Sequence, residues 1–339
     1  MVSAGHCSAS RESKRPVVAV LYREALPPRL DEIKELAEVR LTTSEGLAEA
    51  VAGSEGSAGA DVLYQWHSFS PALRQSWAAA SSLIWVHVSA AGVSQLLFED
   101  LINSDVMYTN SRGVLSRAIA EFALGFVLDI AKDAQGSLRL QQAGRWQHRV
   151  TRKIQGQSAL VAGTGSIGLE IASLFHAVGL RVSGAGRSSR PGDEHFEEIR
   201  SSKDLALVVR DFDYVVLAAP LTEDTKGLVD ADVLSAMKLT AHLINVGRGE
   251  LVHTDALVDA LRSGAIAGAA LDVVHPEPLP ADHPLWSMDN VILTPHMSGD
   301  TEEYLDDLGK LFVANLKRFS RGEPLENMVD KRLGFVAVS

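Results

Sequence analysis

Residues 159–168 read ALVAGTGSIG, an apolar run that enters the spacing Gly163-x-Gly165-x-x-Gly168 and continues into Leu169–Gly179 at helical period. Each glycine has a separate physical task. Gly163 makes the tight turn, Gly165 lets backbone approach a pyrophosphate, and Gly168 lets the helix pack close to the strand. Ser166 and Ile167 open the helix, where unpaired N–H groups and the positive end of the helix dipole favour phosphate. A glycine pattern of this kind alone also fits an ordinary turn. Set between a strand and a helix, it reads as a dinucleotide site.

Outward from that turn, short apolar runs alternate with helical stretches. One series comprises Val17–Tyr22, Val39–Thr42, Asp61–Tyr64, Leu83–Val88 and Val106–Thr109. The other comprises Ser158–Ala162, Arg181–Ala185, Tyr214–Ala218, His242–Val246, Ala267–Val273 and Val291–Thr294. Most are continuously apolar rather than alternating, as strands covered by helices on both faces should be. The expected class is α/β, with two doubly wound parallel-sheet domains. Two long helices are expected, over 114–135 and 300–321. The second carries Tyr304, Leu308, Leu311, Phe312, Leu316 and Phe319 at helical spacing, an N-terminal capping pattern in Asp300 and Glu303, and Gly322 with Pro324 to close it. These helices either pack into one core each or bridge the two domains. Gly53–Gly59 reads as a flexible surface loop.

The strand Arg181–Ala185 should end at the adenosine ribose, where an NAD enzyme usually places an acid. Here the chain reads Gly184-Ala185-Gly186-Arg187-Ser188-Ser189-Arg190. A carboxylate would repel a 2′-phosphate, whereas Arg187, helped by Ser188 or Arg190, can bind one. NADP is therefore the preferred cofactor, with NAD the alternative; solvated loop residues would read the same way.

Three further segments, INVGRG (244–249), ALDVVHPEPL (270–279) and LTPHMSG (293–299), each follow an expected strand. Ligands of open α/β sheets collect outside the carboxyl ends of strands, so Arg248, Glu277 and His296 can converge on one crevice. Singly, each could be an ordinary surface residue.

Through these residues the chain resembles the D-isomer-specific 2-hydroxyacid dehydrogenase family, which includes glyoxylate/hydroxypyruvate reductases and phosphoglycerate dehydrogenases. The likeness runs from about Asp61 to Leu325 and rests on GTGSIG, APLTEDTKGLV from Ala219, INVGRGEL, ALDVVHPEPLP and LTPHMSG in that order. It implies a Rossmann nucleotide-binding domain (113–299) inserted in a flavodoxin-like catalytic domain (15–112 and 300–330), preceded by a disordered tail (1–14). It also implies that Arg248 holds and polarises the 2-oxo acid, His296 is the acid/base and Glu277 is its partner. Asp272 would hydrogen-bond the nicotinamide carboxamide, and Pro220, Thr225 and Val246 would line the dinucleotide. In VHVSAAGV (86–93), Ala91 and Gly92 would present backbone amides to the substrate carboxylate. Ser94 follows where many members carry an acid. Trp146 in AGRWQ resembles a residue that reaches the neighbouring subunit's site, which implies a homodimer. Trp66, His67 and Phe69 either shape the substrate pocket or pack their own loop.

The chemistry accounts for these residue types. Hydride delivered to a 2-oxo carbonyl carbon leaves charge growing on oxygen, where an imidazolium can donate a proton, an effect worth ~10²–10⁴-fold. His296 is expected near the start of the 300–321 helix, whose dipole disfavours a protonated ring; Glu277 counters that. Arg248 supplies positive charge where negative charge develops. The expected activity is reduction of a small 2-oxo acid such as glyoxylate or hydroxypyruvate to the D-2-hydroxy acid with NADPH or NADH. The competing reading is a nucleotide-sensing, corepressor-like scaffold on the same fold.

Composition narrows the field. Lys and Arg number 32 against 43 Asp and Glu, a formal net charge of −11, so nucleic acid and anionic membrane are poor partners. One cysteine, Cys7, excludes a disulfide framework and cysteine-built metal sites, and His275, His283 and His296 lack a tight ligand spacing, so no metal is expected. The first fifteen residues lack the apolar core of a signal peptide, and no apolar run approaches a membrane span. A cytoplasmic location is expected.

Overall fold

The computed structural model of the protein describes residues 15–53 and 57–336. The expected tail over 1–14 and residues 54–56 of the Gly53–Gly59 loop lie outside the described residues. The chain divides into two compact units, Met1–Val114 with Glu302–Ser339, and Leu115–Thr301.

In the first unit, β1 (Val17–Leu21), β2 (Glu38–Thr42), β3 (Val62–Gln65), β4 (Trp85–Val88) and β5 (Met107–Thr109) form one sheet in the order β2-β1-β3-β4-β5. All its pairs are parallel, and the order is that of flavodoxin-like sheets. β1, β3 and β4 are buried along their whole length, because side chains on both faces meet covering elements. The helix Tyr304–Ser320 covers one face. Its Phe312 ring stacks on Tyr64 at 3.8 Å between centroids and lies 5.4 Å from Trp85.

That helix begins four residues later than its sequence suggested. Glu303 occupies the cap position without a side-chain cap bond, and Asp300 instead closes a turn, its N–H donating to the Met297 carbonyl at 3.0 Å. The acidic pair is thus not used as a cap. Beyond the helix the chain returns to the sheet, Val329 N–H donating to the Tyr108 carbonyl at 2.8 Å.

His87, on β4, is fully buried, with Nδ1 2.8 Å from Thr109 Oγ1. Burial pushes its ring down to about 3 from an ordinary 6.5. The folded state therefore refuses a proton that the unfolded chain takes up as pH falls below 6.5. Stability from this residue is unaffected above pH 6.5 and is lost progressively between 6.5 and about 3. At 1.36 kcal/mol per pH unit the loss is roughly 2 kcal/mol at pH 5. Urea unfolding at pH 7 and pH 5 should show a smaller difference for His87→Gln than for the wild type; equal differences would show that this ring titrates normally.

The second unit holds β6 (Ser158–Ala162), β7 (Arg181–Gly186), β8 (Arg190–Pro191), β9 (Glu198–Ser201), β10 (Tyr214–Leu217), β11 (His242–Asn245), β12 (Gly268–Leu271) and β13 (Val291–Leu293), in the order β13-β12-β11-β10-β6-β7-β9-β8. Only the β8–β9 pair is antiparallel. The six-strand core of this order, with a reversal between β6 and β10, is the doubly wound dinucleotide-binding topology. Alternate residues of one strand enter separate cores. Leu160, Val215 and Leu243 belong to one, while Val161, Val216 and Ile244 belong to the other, so both faces are covered.

Two local features depart from the sequence reading. β8 and β9 carry no apolar run; only Ile199 of β9 is buried. The helix expected over 114–135 is two helices, Ser116–Lys132 and Ala134–Gln142. Asp133 breaks it in a left-handed conformation (φ 47°), its side chain accepting from Gly136 N–H at 3.1 Å and from Arg149 Nε at 2.8 Å. Aspartate tolerates that conformation better than most residues and caps the new helix. Ser116–Lys132 packs in a core of the second unit and Tyr304–Ser320 in a core of the first. Among the described residues, no helix is long and apolar enough to cross a membrane.

Candidate active site

The parallel pairing of β7, β6, β10, β11, β12 and β13 brings their carboxyl ends to one edge of the second unit. The glycine turn leaves β6 at the reversal point. Gly163 sits at φ 110°, and a Cβ there would meet Ala219 N at 2.5 Å. A Cβ on Gly168 would strike the Gly163 carbonyl oxygen. These two positions lock the turn against the sheet. Gly165 is the opposite case: it is exposed and its missing side chain faces open space, with nothing within 4 Å. It caps the helix Ser166–Ala177 without a side-chain bond, so the leading amides, Ser166 and Ile167 among them, have no capping side chain. A turn closed behind and open in front, ending in uncapped N–H groups, fits a pyrophosphate.

Arg187 and Ser188 follow the end of β7, and both are exposed. The two next residues are engaged elsewhere: Ser189 Oγ accepts from Ser201 N–H at 2.9 Å, and Arg190 lies in β8, 3.6 Å from Asp193. Of the two helpers offered by the sequence, Ser188 is therefore the one left beside Arg187. After β10, Thr225 Oγ1 donates to the Pro220 carbonyl at 2.6 Å and accepts from Thr222 N–H at 2.8 Å, fixing that loop. Val246 is buried and donates its N–H to the Leu217 carbonyl at 3.1 Å.

β11, β12 and β13 are consecutive neighbours, and they deliver Arg248, Glu277 and His296 respectively. Arg248 is exposed, in a loop tied by a residue the sequence reading passed over. Asn245 accepts from Gly247 N–H at 3.1 Å and donates Nδ2 to the Arg248 carbonyl at 3.0 Å. An asparagine ending a strand and folding back on the next turn was the available signal. Gly249 has no room for a Cβ against the Val274 backbone, so this loop packs directly on the one after β12.

His296 Nδ1 lies 2.6 Å from Glu277 Oε1, with side chains 46% and 42% exposed. The ring stands on a tight turn in which His296 itself is left-handed (φ 52°). Asp272, 2% exposed, holds that turn. Its carboxylate accepts from Thr294 Oγ1 at 2.6 Å, Met297 N–H at 2.9 Å and Ser298 N–H at 3.0 Å, while its carbonyl accepts from His296 N–H at 2.8 Å. Burial alone would raise the Asp272 carboxyl, but these hydrogen bonds from Ser298, Thr294 and Met297 outweigh it and keep it below the usual range. Asp272 is thus first of all the anchor of the His296 turn, which its place in the sequence did not reveal. The helix dipole expected to act on His296 is not beside it in the chain: the next helix begins at Tyr304, in the other unit.

In the first unit, Ala91 and Gly92 lie in the turn after β4, Gly92 exposed. Trp66 Nε1 donates to the Ala25 carbonyl at 3.1 Å, and Phe69 is exposed. Among the described residues, no group of three or more His, Cys, Asp or Glu could hold a metal ion.

The family model for the D-isomer specific 2-hydroxyacid dehydrogenase NAD binding domain matches residues 124–298. The chain belongs to that family. As a D-isomer specific 2-hydroxyacid dehydrogenase it is an NAD(P)-dependent oxidoreductase, and the residues that match the NAD binding domain lie within its second unit. A glyoxylate reductase from Aeropyrum pernix is 34% identical over 255 residues, 72% of this chain and 75% of that protein. A D-isomer specific 2-hydroxyacid dehydrogenase from Xanthobacter autotrophicus Py2, solved in complex with NADPH and MES, is 32% identical with a TM-score of 0.78, covering 94% of this chain and 100% of that one. An NADPH-dependent glyoxylate/hydroxypyruvate reductase from Sinorhizobium meliloti, solved with NADP and sulfate, is 25% identical with a TM-score of 0.75, covering 95% and 100%.

Proposed function

We propose that the protein reduces a small 2-oxo acid, glyoxylate or hydroxypyruvate, to the D-2-hydroxy acid with NADPH. The observation that carries this reading is the His296–Glu277 pair at 2.6 Å, on the strand edge that also bears the glycine turn. A dinucleotide held there would supply the hydride for the carbonyl carbon. With Nδ1 turned to the Glu277 carboxylate, the His296 proton available to the carbonyl oxygen is on Nε2. Transfer of that proton completes the alcohol, and the carboxylate steadies the cationic ring beforehand. Arg248 pairs with the substrate carboxylate and draws charge onto the carbonyl oxygen. Ala91 and Gly92, in the first unit, offer backbone amides to a carboxylate. Gly163, Gly165, Ser166, Ile167 and Gly168 would hold the pyrophosphate, Pro220, Thr225 and Val246 would line the dinucleotide, and Asp272, besides anchoring the His296 turn, would hydrogen-bond the nicotinamide carboxamide.

Arg187 and Ser188, with no acid at the end of β7, support NADPH over NADH, as do the NADPH and NADP complexes of the two solved relatives. Trp146 is fully exposed and Val150 nearly so, which supports a homodimer that covers them. A single cysteine supports a reducing compartment, the cytoplasm. The reductase names of the relatives favour turnover over the scaffold reading.

The test is kcat/KM over a panel of 2-oxo acids with each cofactor. Glyoxylate or hydroxypyruvate with NADPH should rank first; no turnover of any 2-oxo acid, or a preference for NADH, would overturn the reading.

A further inference from the structure

We infer that Asn110 is a positioning residue for substrate: it turns the Gly92 amide outward, beside the Ala91 amide that Ser111 holds. Asn110 is 2% exposed and lies just past β5. Its Nδ2 donates to the Ala91 carbonyl at 2.6 Å, and its Oδ1 accepts from Arg112 N–H at 3.2 Å. The next residue, Ser111, donates its N–H to the Ala90 carbonyl at 3.0 Å and its Oγ to the Val88 carbonyl at 3.0 Å. Two consecutive carbonyls of the turn after β4 are therefore captured by one buried dipeptide.

A trans peptide is planar, with its C=O and N–H pointing in opposite directions. Fixing the Ala90 carbonyl inward turns the Ala91 N–H away from residues 110 and 111. Fixing the Ala91 carbonyl does the same for the Gly92 N–H. Successive amides held facing one side make a concavity that suits an anion. Asn110 is itself braced: its N–H donates to the Asn327 carbonyl at 3.3 Å, and Asn327 Nδ2 donates to the Arg112 carbonyl at 2.7 Å. The orienting donor is thus pinned by the C-terminal segment and has little freedom to turn away.

This inference rests on the reading that the Ala91–Gly92 amides receive the substrate carboxylate. The ligand class is a carboxylate, so the probes are glyoxylate and its methyl ester. In Asn110→Ala, KM for glyoxylate should rise about 10- to 100-fold with kcat within about threefold, since hydrogen bonds to a charged group are lost from binding. The preference for acid over ester should shrink, and NADPH affinity should stay unchanged. A merely structural residue would lower acid and ester turnover together, and that result, or an unchanged KM, overturns the proposal. Near-UV circular dichroism from Trp85, which donates to Thr109 Oγ1 beside Asn110, reports whether the unit has folded. If Asn110→Ala loses that signal, Asn110→Asp, of the same shape but without the donor, takes its place under the same readouts. Gly92→Pro, which removes one amide N–H, separates the two ideas. If it leaves the acid preference intact, the carboxylate reading fails. If it abolishes that preference while Asn110→Ala does not, only the role of Asn110 fails.

Discussion

Replacing His296 with alanine is expected to lower kcat by about 10²–10⁴-fold, the usual worth of a positioned general acid. NADPH affinity should stay nearly constant, because the glycine turn and Arg187 lie on β6 and β7, well along the sheet from β13. The loss should be common to both directions, since the group that gives a proton to the oxo acid must take one from the hydroxy acid. Glu277→Gln should fall in the same direction by less, because the amide still hydrogen-bonds Nδ1 but no longer balances a cationic ring. Steady-state kinetics in both directions, with cofactor binding followed by NADPH fluorescence, decide the matter. Near-normal turnover by His296→Ala would remove this residue from the chemistry.

The second large effect concerns cofactor choice. Arg187→Ala should reduce kcat/KM for NADPH by roughly 10- to 150-fold, the equivalent of one charge-assisted contact to phosphate, while NADH changes little. Arg187→Asp should go further and invert the preference, since a carboxylate there repels a 2′-phosphate and accepts from ribose hydroxyls. Arg190→Ala should matter much less, because that side chain faces Asp193 from β8. If Arg187→Ala treats the two cofactors alike and as the wild type does, discrimination lies elsewhere.

What the sequence could reveal followed from how each element is stabilised. Strands buried on both faces announce themselves as apolar runs, so both sheets were legible and the glycine turn could be placed at the end of β6. β9 was not, because one buried Ile199 among polar neighbours leaves no pattern. The break at Asp133 was hidden because it depends on Arg149, sixteen residues on. Asp300 and Glu303 misled for a related reason: a cap motif is only an option, and here Asp300 is drawn into the turn after His296. The juxtaposition of His296 with Glu277 was legible because each residue follows a strand and the order of parallel strands can be guessed. The supporting roles of Asp272, Asn245 and Asn110 were not, since they depend on which donors and acceptors surround a buried side chain.

The small hairpin of β8 and β9 has a bearing on attempts to change the cofactor. It closes one margin of the eight-stranded sheet with a two-residue strand ending in Pro191, which has no N–H to offer. The stretch beside Arg187 is therefore also a poor template for another chain to add onto. Redesign that confines itself to positions 187 and 188 leaves this guard in place, whereas remodelling 190–198 would expose the rim of β9 and invite self-association.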